Sequence, residues 1–138
     1  MAVSLQVREV PVRLFVPADR LRETVAHYKA LTGGHCTLHF PFPERGLELA
    51  SVSSPAVTFL IIAGDEANLG PFRETKLTML VEDIETVAPA LLALGADILQ
   101  PVTPVPTGFL IRARHPDGLV VEYVQHTDAA DRYRVTEL

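Results

Sequence analysis

The sequence predicts an α+β fold in which one chain carries two βαβββ modules whose sheets form a curved groove. Two observations predict it. The order of one strand, one helix and three strands occurs in the first half and recurs in the second half at an offset of about 62 to 65 residues. In both halves a glycine, Gly33 or Gly95, follows the helix, and glycine commonly ends helices because it adopts the left-handed conformation without strain.

The first module begins with a strand and a helix. Apolar residues alternate with others over about residues 10–16, which predicts a half-buried strand. Leu21, Val25, Tyr28 and Leu31 then recur at helical spacing, and Asp19 precedes them as the expected N-cap. Three further strands, separated by Pro, Gly and Ser, are predicted over about residues 36–40, 47–52 and 57–63.

The second module repeats this order. Residues 77–81 form a predicted strand, and apolar residues recur at helical spacing after Asp83. Pro89 fits this helix if its regular turns begin near Glu85 or Thr86, because proline is tolerated in a first turn. Three strands are predicted over about residues 97–100, 108–113 and 119–125, and the turn Pro116-Asp117-Gly118 joins the last two as a hairpin.

The length of 138 residues predicts a single domain, residues 1–138. Within it we expect module one at about residues 10–63, an inter-module linker at 64–75, module two at about 76–126 and a charged tail at 127–138. The tail is expected at the surface or in a subunit contact. Residues 53–55 and 101–107 are rich in proline or serine and are predicted to be loops.

Composition excludes several function classes. The net charge is −5 and the basic residues are scattered, which argues against a nucleic-acid partner. No apolar run approaches the roughly 20 residues that a membrane-spanning helix needs. Cys36 is the single cysteine, and the start Met1-Ala2-Val3-Ser4 lacks the pattern of a signal peptide, so a cytoplasmic location is expected.

Three motifs resemble those of one superfamily. They are Val81-Glu82-Asp83-Ile84, Leu94-Gly95-Ala96 and the segment from His115-Pro116-Asp117-Gly118 to Glu122. With the repeated modules they resemble the vicinal oxygen chelate superfamily, which includes glyoxalase I, extradiol dioxygenases, fosfomycin-modifying enzymes and bleomycin resistance proteins. The resemblance covers about residues 10–125. It implies the fold but leaves the chemistry open, because these proteins catalyse several reactions or only bind. It also implies a homodimer.

The resemblance implies four metal-ligand positions, taken from the first and last strands of each module. These positions hold Pro11, Phe59, Lys76 and Glu122. Only Glu122 donates to a metal in its usual charge state, and the Lys76 ammonium would oppose a bound cation. We therefore predict a metal-free member without a cofactor. Lys76 and Glu122 could also simply neutralise each other across the sheet.

Strand alternation assigns side chains to the two sheet faces. The predicted groove lining is Arg13, Phe15, Val57, Phe59, Ile61, Lys76, Thr78, Leu80, Val120, Glu122 and Val124, with His39 at the edge. The predicted helix-facing set is Val12, Leu14, Val16, Leu60, Ile62, Leu77, Met79, Val81, Val121 and Tyr123. An apolar groove with two aromatic rings and a few charges suits a mid-sized organic ligand, and Arg13 could bind an anionic or carbonyl group of it.

Histidines are the other candidate functional groups. His35, Cys36 and His39 are metal-ligand types, but alternation separates Cys36 from the two histidines. His126 follows Glu122 by four residues on the same strand face. A general base must reach the ligand, so His126 or His39 could assist Glu122.

These observations predict a cytoplasmic protein of the bleomycin-resistance type that sequesters a small organic molecule, such as an antibiotic or other secondary metabolite. The alternative is a metal-independent isomerase, epimerase or lyase of the same fold, with Glu122 and either His126 or His39 as acid and base. A third option retains a metal through Glu122 and unusual ligands.

Overall fold

A computed structural model describes residues 4–135 and 137–138 of the chain. Within this part the strands, in chain order, are β1 Val7–Glu9, β2 Val12–Val16, β3 His35–Phe42, β4 Leu47–Ser53, β5 Thr58–Gly64, β6 Leu77–Val81, β7 Asp97–Val105, β8 Gly108–Arg114 and β9 Val120–His126. The α-helices are α1 Leu21–Thr32, α2 Glu66–Arg73 and α3 Val87–Ala93. The predicted α+β fold with two βαβββ modules is confirmed.

The chain forms two compact units. The first unit comprises Pro11–Glu74 and Asp131–Leu138, and the second comprises Thr75–Ala130 with the residues up to Val10. The first unit contains a four-stranded sheet of order β2-β5-β4-β3, and the second a five-stranded sheet of order β1-β6-β9-β8-β7. In each unit the first and last strands of the module, β2 with β5 and β6 with β9, pair in parallel.

Helix α1 covers one face of the first sheet. Leu21 and Val25 of this helix are buried against strand residues, and Tyr28 also packs there. The strand residues of this cluster are Leu14, Val16, Cys36, Ala50, Val52, Phe59, Ile61 and Ala63. The helix ends at Gly33, whose φ of 69° is the left-handed conformation that glycine adopts easily.

The other face of the first sheet is covered within its own unit. Leu69 of α2 is buried there, and Phe72 and Tyr133 pack at the margin. The strand residues of this second cluster are Phe15, Leu38, Phe40, Phe42, Leu47, Leu49, Leu60 and Ile62. Residues 64–75, predicted to be only a linker, therefore contain a helix that contributes to the core.

The predicted placement of Phe59 and Ile61 is wrong. β2 pairs with β5 so that Leu14 lies opposite Ile61 and Arg13 lies opposite Leu60. Phe59 and Ile61 thus face α1, and the Phe59 and Tyr28 ring centroids are 4.5 Å apart. Leu60 and Ile62 take the opposite face. The cause is the register of β5, which is one residue from the predicted one, and a one-residue shift exchanges the two faces.

The predicted placement of His39 is also wrong. The register of β3 against β4 shifts between Cys36 and Leu38, which reverses the alternation after the shift. His39 lies opposite Ala50 and so shares the face that α1 covers. Its Nε2 is 2.5 Å from Glu48 Oε2, in a hydrogen bond at the sheet edge.

Helix α3 packs on the second sheet much as α1 packs on the first. Its cluster comprises Val81, Ile84, Val87, Leu91, Ala96, Ile111, Ala113, Val121 and Tyr123, with Leu77 and Met79 at the margin. This confirms the predicted helix-facing residues of β6 and β9. Burial raises the pKa of Tyr123, whose hydroxyl lies 2.6 Å from His115 Nε2 in the hairpin turn.

Three smaller predictions need correction. Asp19 is not an N-cap, because it lies inside a 3-10 turn that precedes α1. Residues 101–105 are not a loop, because β7 continues to Val105; β7 is an edge strand, where proline is tolerated. In the tail, Asp128–Tyr133 forms 3-10 turns and Arg134 bridges to Leu38 of the first sheet. Among the described residues, the helices are all too short or too polar to span a bilayer.

Candidate ligand site on the second sheet

The candidate site lies on the face of the second sheet opposite α3. Thr78 on β6 lies opposite Glu122 on β9, Glu122 lies opposite Arg112 on β8, and Arg112 lies opposite Gln100 on β7. Side chains directly opposite each other in paired strands point to the same face. These four residues therefore form a continuous row across four strands, which we call the polar row.

Glu122 is the most buried charged residue of the polar row. Its exposed fraction is 8% and that of Thr78 is 2%. The Thr78 hydroxyl donates a hydrogen bond of 2.6 Å to Glu122 Oε1. A buried carboxylate needs such donors, because transfer of an unsolvated charge from water is costly. The contact also fixes the direction in which the carboxylate points.

Arg112 is one of the two residues of the polar row, with Gln100, that the sequence analysis did not identify. Its Nε is buried, and no acceptor within the described part of the chain lies within hydrogen-bonding distance of that atom. Its position is set by the hairpin around Asp117, which places Arg112 and Glu122 at equal distances from the turn. The positions of the turn and of Glu122 in the sequence were therefore sufficient to predict that Arg112 lies beside Glu122 on the same face.

Two flanking rows give the face its mixed character. On one side lies an apolar row formed by Leu80, Val124 and Leu110, which are opposite one another in β6, β9 and β8. Thr103 of β7 lies opposite Leu110 at one end of this row, and Glu9 of β1 lies opposite Leu80 at the other. On the other side, Arg114 of β8 and Asp97 of β7 lie opposite each other and form a charged row, and Val120 of β9 lies opposite Arg114. Lys76 lies at the end of this row, where its backbone amide donates to the Val120 carbonyl. His126 lies opposite Gly108, beyond the apolar row.

Within the second unit, the structure brings together the predicted ligand-site residues of that unit. Lys76, Thr78, Glu122 and Val124 share the face just described, and His126 lies farther along it. The predicted residues of the first unit are divided between the two faces of the first sheet, as follows.

Arg13 and Phe15 lie on the face of the first sheet that α2 covers. Arg13 Nη2 donates to the Phe72 carbonyl at 3.0 Å. The guanidinium carbons of Arg13 and Arg73 lie 5.4 and 5.0 Å from the Phe15 ring centroid, which are cation-π distances. These contacts tie both predicted residues into the packing of their own unit.

The polar row does not suit the metal that the superfamily implies. Glu122 is a possible ligand, but its neighbours in the row are a hydroxyl and a guanidinium, and arginine has only donors to offer. A positive charge opposite Glu122 also disfavours a second cation. Across residues 4–135 and 137–138, no three His, Cys, Asp or Glu side chains are grouped so that they could hold a metal ion.

Comparisons with known proteins support the fold. No protein-family model and no curated protein matches the chain. An uncharacterized protein from Methanosarcina mazei is similar, with 36% sequence identity and a TM-score of 0.79, over 89% of this chain and 95% of that chain. Methylmalonyl-CoA epimerase from Mycobacterium tuberculosis is similar in fold, with 17% identity and a TM-score of 0.68, over 92% of this chain and 93% of that chain.

A third similar structure is a variant of Streptomyces coelicolor methylmalonyl-CoA epimerase in complex with 2-nitronate-propionyl-CoA. The identity is 17% and the TM-score 0.61, over 92% of this chain and 99% of that chain. The two βαβββ sheets and these similarities define a protein of the vicinal oxygen chelate fold. The chain belongs to one family with the Methanosarcina mazei protein.

Proposed function

We propose that the chain binds a small organic molecule on the α3-opposite face of the second sheet and acts by sequestration. The observation that carries this proposal is the buried Thr78–Glu122 hydrogen bond beside Arg112, directly next to an apolar row. Ligand sites typically combine a mostly apolar surface with a few well-placed polar groups. An antibiotic or another secondary metabolite has this mixed character.

The first experiment is native mass spectrometry of the purified protein, followed by thermal-shift measurements with secondary metabolites and acyl-CoA esters. We expect a bound mass or a ligand that raises the melting temperature. Glu122→Gln should change the affinity modestly, while Glu85→Gln, the same change on an exposed side chain, should leave it unchanged. No bound mass and no stabilising compound, or equal effects of the two variants, would contradict the proposal.

Sequestration also requires that the ligand is chemically unchanged. After incubation in D2O, we expect the recovered ligand to have its original mass and stereochemistry. Incorporation of deuterium at a carbon, lost in Glu122→Gln, would instead support the second candidate function, proton transfer on the ligand. The homodimer stays a prediction that light scattering coupled to size-exclusion chromatography can check.

That second candidate, an isomerase-type reaction, is favoured by the immobilised Glu122 carboxylate and by the fold similarity to methylmalonyl-CoA epimerases. In this proposal Glu122 takes a proton from a ligand carbon and returns it to a neighbouring carbon. His39 is not its partner, because it lies on the helix-covered face of the first sheet. His126 lies four residues from Glu122, roughly 13 Å along an extended strand. At this distance His126 is better placed to contact the far end of the ligand than the carbon on which Glu122 acts.

A further inference from the structure

We propose that Arg112, assisted by Gln100, binds a carboxylate group of the ligand, so that the ligand is an organic acid with an apolar body. This inference rests on the proposed function, because it assumes that the ligand occupies the polar row. It goes beyond that function by naming the chemical class and the residue that selects it.

The first argument is the buried Nε of Arg112. The great majority of buried polar atoms have a hydrogen-bond partner, so a buried donor without one requires a specific explanation. This Nε has no acceptor among residues 4–135 and 137–138. Nε and one terminal nitrogen of a guanidinium form a planar pair of donors that matches the two oxygens of a carboxylate. A ligand carboxylate would therefore satisfy the buried donor.

The second argument is the charge of the face. Its cations are Lys76, Arg112 and Arg114, and its carboxylates are Glu122, Asp97 and Glu9, which lies opposite Leu80. These charges balance over the whole face, but the neighbour of Arg112 on the side of β7 is the neutral Gln100 amide, so a ligand carboxylate placed there has no acidic neighbour in the polar row. Glu122 already accepts a hydrogen bond from Thr78 on the side of β6. A ligand anion is better placed on the other side of Arg112, beside the Gln100 amide, where its distance from Glu122 is larger.

The third argument concerns the remainder of the ligand. Leu110 lies two residues from Arg112 on the same strand and the same face, and Val124 lies opposite it. Both are more than nine-tenths buried. A carboxylate held by Arg112 thus has apolar side chains directly beside it along the strands. This arrangement suits an aryl or alkyl carboxylic acid and disfavours a small, fully polar dianion.

The test uses 3-phenylpropionate and its neutral counterpart 3-phenylpropionamide as probes. We expect the acid to bind the unaltered protein at least 10-fold more tightly than the amide by isothermal titration calorimetry. In 15N-resolved NMR spectra, the Nε–H resonance of Arg112 should shift on addition of the acid and stay in place with the amide. Both measurements use the unaltered protein, so they hold even if a variant fails to fold.

A variant then separates charge from geometry. Arg112→Lys keeps the positive charge but lacks the paired donors, and we expect it to weaken acid binding at least 10-fold and to narrow the difference between acid and amide. Arg22→Lys, the same change at an exposed position of α1, should leave both affinities unchanged.

The outcomes distinguish this inference from the proposed function. Equal binding of acid and amide, or an Nε–H resonance that stays in place while the acid binds, overturns the role of Arg112. If both probes fail but a neutral compound binds and Glu122→Gln weakens it, the carboxylate inference is wrong and the proposed function stands. If no acid and no neutral compound binds the protein, both are wrong.

Discussion

Thr78 and Glu122 lie opposite each other on the parallel strands β6 and β9, and the Thr78 hydroxyl donates to Glu122 Oε1 across 2.6 Å. Both side chains are almost inaccessible to solvent. The hydroxyl therefore replaces part of the hydration that the carboxylate loses on folding. The same contact holds the carboxylate in one orientation, which is what a binding site needs from a polar group.

The first prediction follows from this contact. Thr78→Val keeps the shape of the side chain but removes the donor, so it should lower the free energy of unfolding by about 1 to 3 kcal/mol, the typical cost of an unsatisfied buried group. Thr78→Ser keeps the hydroxyl and should cost less than Thr78→Val. Urea unfolding measures both. A Thr78→Val variant as stable as the unaltered protein would show that the hydrogen bond contributes little.

The second prediction tests the position of Phe59. Because its ring packs against Tyr28 of α1, Phe59→Ala should destabilise the first unit by about 2 to 3 kcal/mol, less than the roughly 3 to 5 kcal/mol of a fully buried Phe. It should not change affinity for a ligand on the second sheet. Leu31→Ala, at an α1 side chain that is 67% exposed, should change stability by only about 0.5 kcal/mol or less.

Chemical unfolding and titration calorimetry on the same Phe59→Ala preparation check both parts of this prediction. A folded variant with unchanged stability but lost ligand binding would restore Phe59 to the binding site. A double-mutant cycle with Tyr28→Leu should give a coupling of about 0.5 to 1.5 kcal/mol, the range for aromatic pairs.

The contrast between Phe59 and Glu122 shows what the sequence could predict about the fold. The face of Glu122 could be predicted because the turn at Pro116-Asp117-Gly118 fixes where β9 starts relative to β8. Residues 57–63 are nearly all apolar, so β5 has no alternation from which its two faces can be assigned. Its register depends on pairing with β2 and β4, which are distant in sequence.

Two other misses have comparable physical causes. The face of His39 depends on the irregular pairing between Cys36 and Leu38, and sequence alternation assumes regular pairing. Arg112 was missed because no residue of β7 or β8 was assigned to the candidate site, whereas the polar row crosses four neighbouring strands.

The third prediction concerns Gly108 at the start of β8. Its φ is +155°, and a Cβ atom there would lie 2.0 Å from the Gln125 carbonyl oxygen on β9. Gly108→Ala must therefore separate the two strands or strain the backbone, and we expect a loss of more than about 2 kcal/mol. Gly70→Ala in α2 has open space around the new atom and should stabilise by about 0.5 to 1 kcal/mol through helix propensity.

Thermal and urea unfolding of the two alanine variants provide this comparison. The result also bears on the site, because Gly108 lies opposite His126 at the end of the candidate face. If Gly108→Ala proved as stable as the unaltered protein, the close approach of β8 and β9 at this point would be wrong, and with it the placement of His126.

The fourth prediction concerns the Cys36 thiol, which is 1% exposed beneath α1. Burial raises its pKa, and a backbone hydrogen bond with Leu38 and the charge of Lys29 oppose this rise only in part. Since the thiolate is the reactive form, a disulfide reagent such as DTNB at pH 8 should label Cys36 only slowly, and fully once urea unfolds the protein.

The folded state favours the neutral Cys36 thiol more than the unfolded state does. The contribution of this thiol to the free energy of unfolding is therefore present below about pH 9 and decreases as the pH rises further. Cys36→Ala should remove both the labelling and this part of the alkaline loss of stability, whereas rapid labelling of the folded protein would show that the thiol is accessible beneath α1.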